Sequence, residues 1–190
     1  SLGRYSSGLV TTFNEESVIS ENRVTRVLND TPDELVSLLG CGLSTALGVV
    51  ENDLNLQLGH RILIIGCGGV GMNLILAAHL RGASVIAVIV IEPSKEELAL
   101  DLVATHFTTN WEHLAVKFDA IVDTTGNINA IESGLQLIEK EGQFVMLGHP
   151  KARQSFIFEN AVNIVNGSFH IKGTQGGQFD PAKDIPRYTA

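Results

Sequence analysis

The sequence predicts a doubly wound α/β domain on a parallel sheet, and three observations carry that expectation. A glycine turn, Gly66-Cys67-Gly68-Gly69-Val70-Gly71, lies between a branched apolar run, Arg61-Ile62-Leu63-Ile64-Ile65, and a helix-forming run, Met72 to Leu80, that closes at Gly82. Past residue 60, short apolar runs alternate with helical stretches, the pattern of parallel strands joined by right-handed crossovers. The runs Val85 to Ile91 and Phe144-Val145-Met146-Leu147 lack polar alternation, as strands covered on both faces do.

Taken in order, residues 10–13 and 22–27 read as short strands separated by polar turns. Thr31 is placed to cap a helix that has Pro32 at its first position, and residues 33–51 read as helical with an interruption at Gly40-Cys41-Gly42. Strands are expected at 61–65, 85–91, 119–123, 143–147 and 168–172, with a weak one near 104–108. Helices are expected at 70–80, 94–102, 128–138 and 158–165. Six such strands complete a sheet of order 3-2-1-4-5-6. The expected division is a small β-containing segment over 1–40, too short for a core of its own, followed by the α/β domain over 41–190.

Composition agrees and excludes several classes. A chain of 190 residues holds one large domain, or one with a fragment of another. Hydrophobic content of 44% with 18% charged residues describes a globular protein with a substantial core. The longest apolar run, Val85 to Ile91, is too short to cross a bilayer, and no leader-like segment opens the chain. A net charge of −8 without a basic cluster argues against nucleic acid as a partner. Two cysteines make no disulfide framework, so a reducing cytoplasm is the expected location.

Strand, glycine turn and helix together are the context in which GxGxxG acts as a dinucleotide-binding fingerprint, as opposed to a merely structural turn. Gly66 permits the tight turn, Gly68 lets the backbone approach a pyrophosphate, and Gly71 lets helix and strand pack closely. Gly69 and Val70 complete the turn at a helix start whose free N–H groups and dipole favour phosphate. Cys67 fills the variable slot as a small residue in preference to a redox thiol. An acidic residue about 20 positions beyond the turn should bind the adenosine ribose and favour NAD. Counted without gaps from Gly71, that place falls on Val90, which cannot do so. A strand two residues longer brings Glu92 there instead, and puts Leu98 and Leu102 on one helix face. The ungapped register places Glu96 in the core, where an unpaired charge is costly. Glu92 is therefore preferred as ribose ligand over a solvated helix-start glutamate. NAD is the expected cofactor; NADP is the alternative, with Lys95 available for a 2′-phosphate.

Two motifs in order, Leu39-Gly40-Cys41-Gly42-Leu43-Ser44-Thr45-Ala46-Leu47-Gly48 and then the glycine turn, resemble the medium-chain, zinc-dependent alcohol dehydrogenases. The resemblance runs from about Phe13-Asn14-Glu15-Glu16-Ser17-Val18 to the last residues. Phe118-Asp119-Ala120-Ile121-Val122-Asp123-Thr124-Thr125-Gly126, Gly142-Gln143-Phe144-Val145-Met146-Leu147-Gly148 and Ile171-Lys172-Gly173-Thr174-Gln175-Gly176-Gly177 are similar to the fourth, fifth and sixth strands of that family's Rossmann sheet. The resemblance implies hydride transfer from a zinc-bound alkoxide to a nicotinamide, with the metal acting as Lewis acid at an open position. It puts Cys41 in the place of the family's last zinc-ligand cysteine and Thr45 beside the nicotinamide. Thr124 and Thr125 would border the crevice, Leu147 and His149 the nicotinamide ring, and Gln175 its amide end. The strand ends at a topological switch point are where such ligands bind in any open α/β sheet.

Departures from the family set limits. The upstream cysteine and GHE histidine that complete the family's zinc site are absent, as is the four-cysteine structural lobe. His60, His79, His106, His113, His149 and His170 supply no second ligand by spacing. Zinc is thus expected in a complete parent enzyme, through Cys41, and not in this chain. The chain resembles the cofactor half of an alcohol or polyol dehydrogenase, binding dinucleotide without turning over alcohols by itself. A stand-alone dinucleotide-binding module and a zinc-free quinone or enoyl reductase relative are the rival readings. The family further implies a homodimer paired through the last strand, 168–172.

Overall fold

A computed structural model describes residues 15–159 and 161–190. Two compact units are present: Pro32–Phe179, and a second formed by residues 15–31 with Asp180–Ala190. The larger unit opens with helix α1 (Asp33–Leu39) and α2 (Gly42–Gly48), the latter continuing as a π-helical turn, Val49–Asp53. Six strands follow: β1 (Arg61–Ile65), β2 (Val85–Ile89), β3 (His106–Thr108), β4 (Phe118–Asp123), β5 (Ile138–Met146) and β6 (His170–Gly173). Between them lie α3 (Gly69–Leu80), α4 (Glu96–Asp101), α5 (Ile128–Leu135) and α6 (Val162–Gly167). All pairings are parallel and the order is β3-β2-β1-β4-β5-β6, as the sequence predicts.

The apolar strands are explained by two cores, one on each face of the sheet. Ile62, Ile64, Ile86, Val88 and Val122 point to one face, where Val49, Leu74, Ile75 and Ala99 cover them. Leu63, Ile65, Ala87, Ile89, Ile121 and Phe144 point to the other, under Ile131 and Leu135 of α5. Alternate residues of one strand thus serve opposite cores, so the middle of each central strand is apolar on both faces. Each fully buried Leu, Ile or Phe contributes about 1.5–3 kcal/mol relative to exposure.

Several boundaries differ from the sequence-based expectation, each for a local reason. β2 ends at Ile89, not 91, because its neighbour β3 stops at Thr108; the last bond between them is Val90 N–H to Thr108 O, and Ile91 is fully exposed. β3 starts at His106, since Val103 at φ +69 and Ala104 N–H to Ala99 O still belong to the end of α4. α5 stops at Leu135 and β5 begins at Ile138, which pairs with Phe118 before a register shift that leaves three extra residues on β5, Glu141 at φ +62 lying within the shift. α6 begins later than expected because Phe158 turns into the core edge-on to Phe169, at a ring separation of 6.3 Å. Ser168 at φ +53 ends α6 and delays β6 to His170.

The N-terminal expectations fare differently. Residues 22–27 form no strand: a 3-10 turn, Glu21–Arg23, is followed by extended chain, and Val24 is 59% exposed. Short strands without a sheet to join are not stable. The expected strand at 10–13 lies outside the described residues. Thr31 does not cap α1: Pro32 occupies the cap position, and the Thr31 hydroxyl is buried without a hydrogen-bond partner among the described residues. In the second unit α7 (Pro181–Tyr188) is capped by Asp180, which accepts from the Ala182 N–H at 3.1 Å.

Candidate functional site

The glycine turn joins β1 to α3 at the carboxyl end of the central strand. Gly66 stands at φ +99, and a methyl group there would lie 2.5 Å from Thr124 Oγ1 and 2.7 Å from Thr125 Cγ2. A Cβ on Gly71 would collide with the Gly66 carbonyl. These two glycines are required by the fold. Gly68 and Gly69 differ, because a Cβ on either would meet none of the described residues within 4 Å. Their space is open to something outside the protein. Gly69, Val70 and Gly71 form the first turn of α3, where backbone N–H groups have no intrahelical acceptor. An anion is the natural occupant of such a cradle.

A cavity of about 600 Å³ adjoins the turn, within the roughly 300–1,000 Å³ usual for small-molecule sites. Gly66 and Cys67 form one wall, Ile91, Glu92 and Lys95 beyond β2 a second, Trp111 a third, and Thr125 and Asn127 beyond β4 the last. Glu92 sits at the rim and accepts from the Ser94 N–H at 3.2 Å. Hydrogen bonds from the Ser94 backbone and hydroxyl, with help from the Lys95 charge, hold its carboxyl below the usual carboxylate range. Burial pushes the Cys67 thiol up, against a smaller opposing effect of Lys95, so the thiol is neutral at pH 7. β2 is not two residues longer, so strand extension does not bring Glu92 to the cavity. Ala99, not Leu98, is the buried residue of α4, and Glu96 is exposed and bears no burial penalty. Glu92 is in the cavity because the Pro93–Lys95 turn folds it back, and Val90 lines the same wall.

The carboxyl end of β4 is built around Asp123, a fully buried carboxylate. Its Oδ1 accepts from the Thr125 N–H (3.0 Å) and hydroxyl (2.6 Å), and its Oδ2 from the Gly126 N–H (2.9 Å). Gly126, at φ +64, can then pass close to the His149 carbonyl. Thr124 is held differently, its hydroxyl donating to Ile65 O at 2.9 Å. Thr125 also borders a second cavity of about 330 Å³ with Asn127, His149, Lys151 and Gln154. Leu147 is buried, its N–H donating to Asp123 O.

Cys41 and Thr45 lie one turn apart at the start of α2. Cys41 is exposed at the cap position and accepts from the Thr45 N–H at 2.9 Å. Thr45 is buried, with Gly176 nearby: a Cβ there would lie 3.8 Å from the Thr45 hydroxyl. Gln175, on the same loop, is exposed. Thus Gly66, Glu92 and Thr125 share the first cavity, Thr125 and His149 the second, and Thr45 and the Gln175 loop form a third locus. Trp111, Asn127 and Asp123 were missed by sequence reasoning, whereas Lys95 was named there as a 2′-phosphate partner. Only Asp123 had a local signal, the Asp-Thr-Thr-Gly turn pattern.

Among the described residues, no group of three or more His, Cys, Asp or Glu side chains is arranged to hold a metal ion. One thiolate does not make a tetrahedral site, so the residues present do not fit zinc. Among the described residues, no single helix is long and apolar enough to cross a membrane.

Residues 69–189 match the family described as zinc-binding dehydrogenase. An S-(hydroxymethyl)glutathione dehydrogenase of Paracoccus denitrificans is 28% identical over 93% of this chain and 51% of its own length. Alcohol dehydrogenase 2 of Zea mays is 30% identical over 92% of this chain and 49% of its own. The structure of benzyl alcohol dehydrogenase from Acinetobacter calcoaceticus superposes with a TM-score of 0.84 at 28% identity, covering 90% of this chain and 50% of that one. The chain therefore spans about half the length of the relatives it matches. With its sheet order, its glycine turn and this match over most of its length, the chain belongs to the zinc-binding dehydrogenase family.

Proposed function

We propose that this chain is the cofactor-binding part of an NAD(P)-dependent alcohol or polyol dehydrogenase. One observation carries the reading: the open cradle at Gly68 and Gly69 lies at the start of α3, directly beside the large cavity. A pyrophosphate on the α3 N–H groups would send its adenosine half into that cavity, with Trp111 offering an aromatic wall and Glu92 a carboxylate for the ribose hydroxyls. The nicotinamide half would extend the other way, towards Thr45, Leu147, His149 and Gln175. When bound, the nicotinamide accepts or gives the hydride; this chain's residues bind and orient it. The Glu92 carboxylate opposes a 2′-phosphate and favours NAD, whereas Lys95 in the same cavity favours NADP.

Zinc belongs to the proposed complete enzyme, with Cys41 as one ligand. The complete enzyme would transfer hydride between an alcohol and the cofactor, while this chain by itself would bind dinucleotide without turnover. We further propose a homodimer through β6, an edge strand whose outer side has no partner within this sheet, and a cytoplasmic location, consistent with two free cysteines.

Trp111 is the sole tryptophan, so titration with NADH and with NADPH is followed by its quenching and by nicotinamide emission. Saturable binding of one or both is expected, NADH the tighter. Binding of neither sinks the cofactor reading, and tighter NADPH removes the role given to Glu92.

A further inference from the structure

The π-helical end of α2 carries a buried charge that neither the fold nor the proposed cofactor contacts account for. The Asp53 side chain is 0% exposed, yet its partners come from the far end of the unit. Lys172 Nζ, on β6, lies 2.6 Å from Oδ1, and Gln178 Nε2 donates to the same oxygen at 2.5 Å. Oδ2 is buried with no hydrogen-bond partner among the described residues. The adjacent Asn52 side chain donates to Gly177 O at 3.0 Å. Beside these bonds, Gly48 and Gly177 meet backbone to backbone, leaving no room for a Cβ on either.

Stability does not explain this arrangement. A fully buried carboxylate with one unsatisfied oxygen carries a desolvation cost that apolar side chains of the same volume do not, and its lysine partner is 37% exposed. What the arrangement does supply is direction. It fixes the loop Thr174–Gln178 against the helix that bears Thr45, so the two segments cannot slide past each other. The hydroxyl of Thr174 adds to this by accepting from the Gly177 N–H at 3.1 Å.

We propose that Asp53, Lys172 and Gln178 are positioning residues that clamp the Thr174–Gln178 loop to α2 and so set the pocket for the nicotinamide end of the dinucleotide. The inference rests on the dinucleotide reading above. It assigns no contact with the adenosine end, which lies across the sheet beside β2. The clamp should therefore act on one half of the ligand only.

That selectivity provides the test. The double variant Asp53→Leu with Lys172→Met removes both charges and keeps apolar volume, while Asp53→Asn removes the charge without changing shape. Thermal unfolding and Trp111 fluorescence titrations are run on each with NADH and with ADP-ribose, or with NADPH and the 2′-phosphorylated ADP-ribose if that is the pair that binds. The expected result is an unchanged or higher Tm for the double variant and ADP-ribose affinity within about twofold of wild type. Affinity for the full dinucleotide should fall about tenfold, erasing the advantage that nicotinamide gives. Equal weakening of both ligands, no weakening of either, or a wild type that binds both alike would overturn the clamp. A wild type that binds neither ligand would instead sink the dinucleotide reading.

Discussion

Replacing Gly68 and Gly71 by alanine, one at a time, should separate two functions of the nucleotide turn. Gly71 is buried where α3 crosses β1, and a methyl group there lies 3.0 Å from the Gly66 carbonyl carbon and closer still to its oxygen. Both are backbone atoms, so relief requires the turn to open. Overpacking of this kind costs about 1–3 kcal/mol, offset by up to about 1 kcal/mol of helix propensity. A net loss near 1–2 kcal/mol lowers Tm by about 2–8 °C in a chain of this size. At Gly68 the backbone is at φ −83, which alanine adopts readily, and a Cβ meets none of the described residues within 4 Å. Gly68→Ala should then unfold within about 0.5 kcal/mol of wild type. Its methyl group occupies the space assigned to the pyrophosphate, so dinucleotide affinity should fall at least about tenfold, which is about 1.4 kcal/mol. Thermal unfolding without ligand and fluorescence titration with NADH and NADPH measure the two effects. Wild-type affinity in Gly68→Ala would refute the phosphate placement. A wild-type Tm in Gly71→Ala would refute the packing argument.

Three further outcomes are expected. Gly48→Ala puts a methyl group 2.5 Å from the Gly177 carbonyl oxygen and should destabilise by about 1–3 kcal/mol in thermal or urea unfolding. Asp119 is partly buried, which alone would raise its carboxyl, but the Arg61 N–H and guanidinium bring it below the ordinary range. A lowered folded-state value contributes stability above the unfolded pKa of about 3.9, and that stability is lost as pH falls through the folded value. Asp119→Asn should therefore be less stable by about 1 kcal/mol at pH 7, with the gap closing in unfolding curves taken below about pH 4. Glu92→Gln should weaken NADH roughly threefold to tenfold and narrow its advantage over NADPH, if a charged hydrogen bond to the ribose is lost; unchanged affinity for both removes Glu92 from the site.

The parts of the fold that were legible are those whose neighbours impose nothing unusual. β1 could be read to the residue because apolar Ile62 to Ile65 stop at a glycine that the turn itself requires. β2 was overread because Val90 and Ile91 are as apolar as the strand before them. Only the length of β3, invisible in a local window, ends the pairing. The early start of β5 was hidden for a similar reason: Ile138 is in the strand because Phe118 is available to pair with it. The glycine turn carried the site because its chemistry is local. Asp53 carried no signal at all, since both its partners lie beyond residue 170, and an aspartate after Glu51 and Asn52 looks like a surface residue. Trp111 was silent likewise, its position in the cavity depending on where the chain turns after β3.

The order of the sheet also constrains how the chain can assemble. β1, at its centre, pairs Ile64 with Val88 on one side and with Val122 on the other. The first partner is available soon after β1 leaves the ribosome, and the second only after the whole of β2, α4 and β3 has been made. During synthesis β1–β2–β3 can form as a half-sheet with α3 on one face, while the other edge of β1 stays unpaired. That edge is among the most apolar segments of the protein, so slow or interrupted translation between β3 and β4 exposes it to association with other chains. Parallel strands with long crossovers are slow to close in any case. The central strand that places the nucleotide turn is thus also the one that waits longest for its second neighbour.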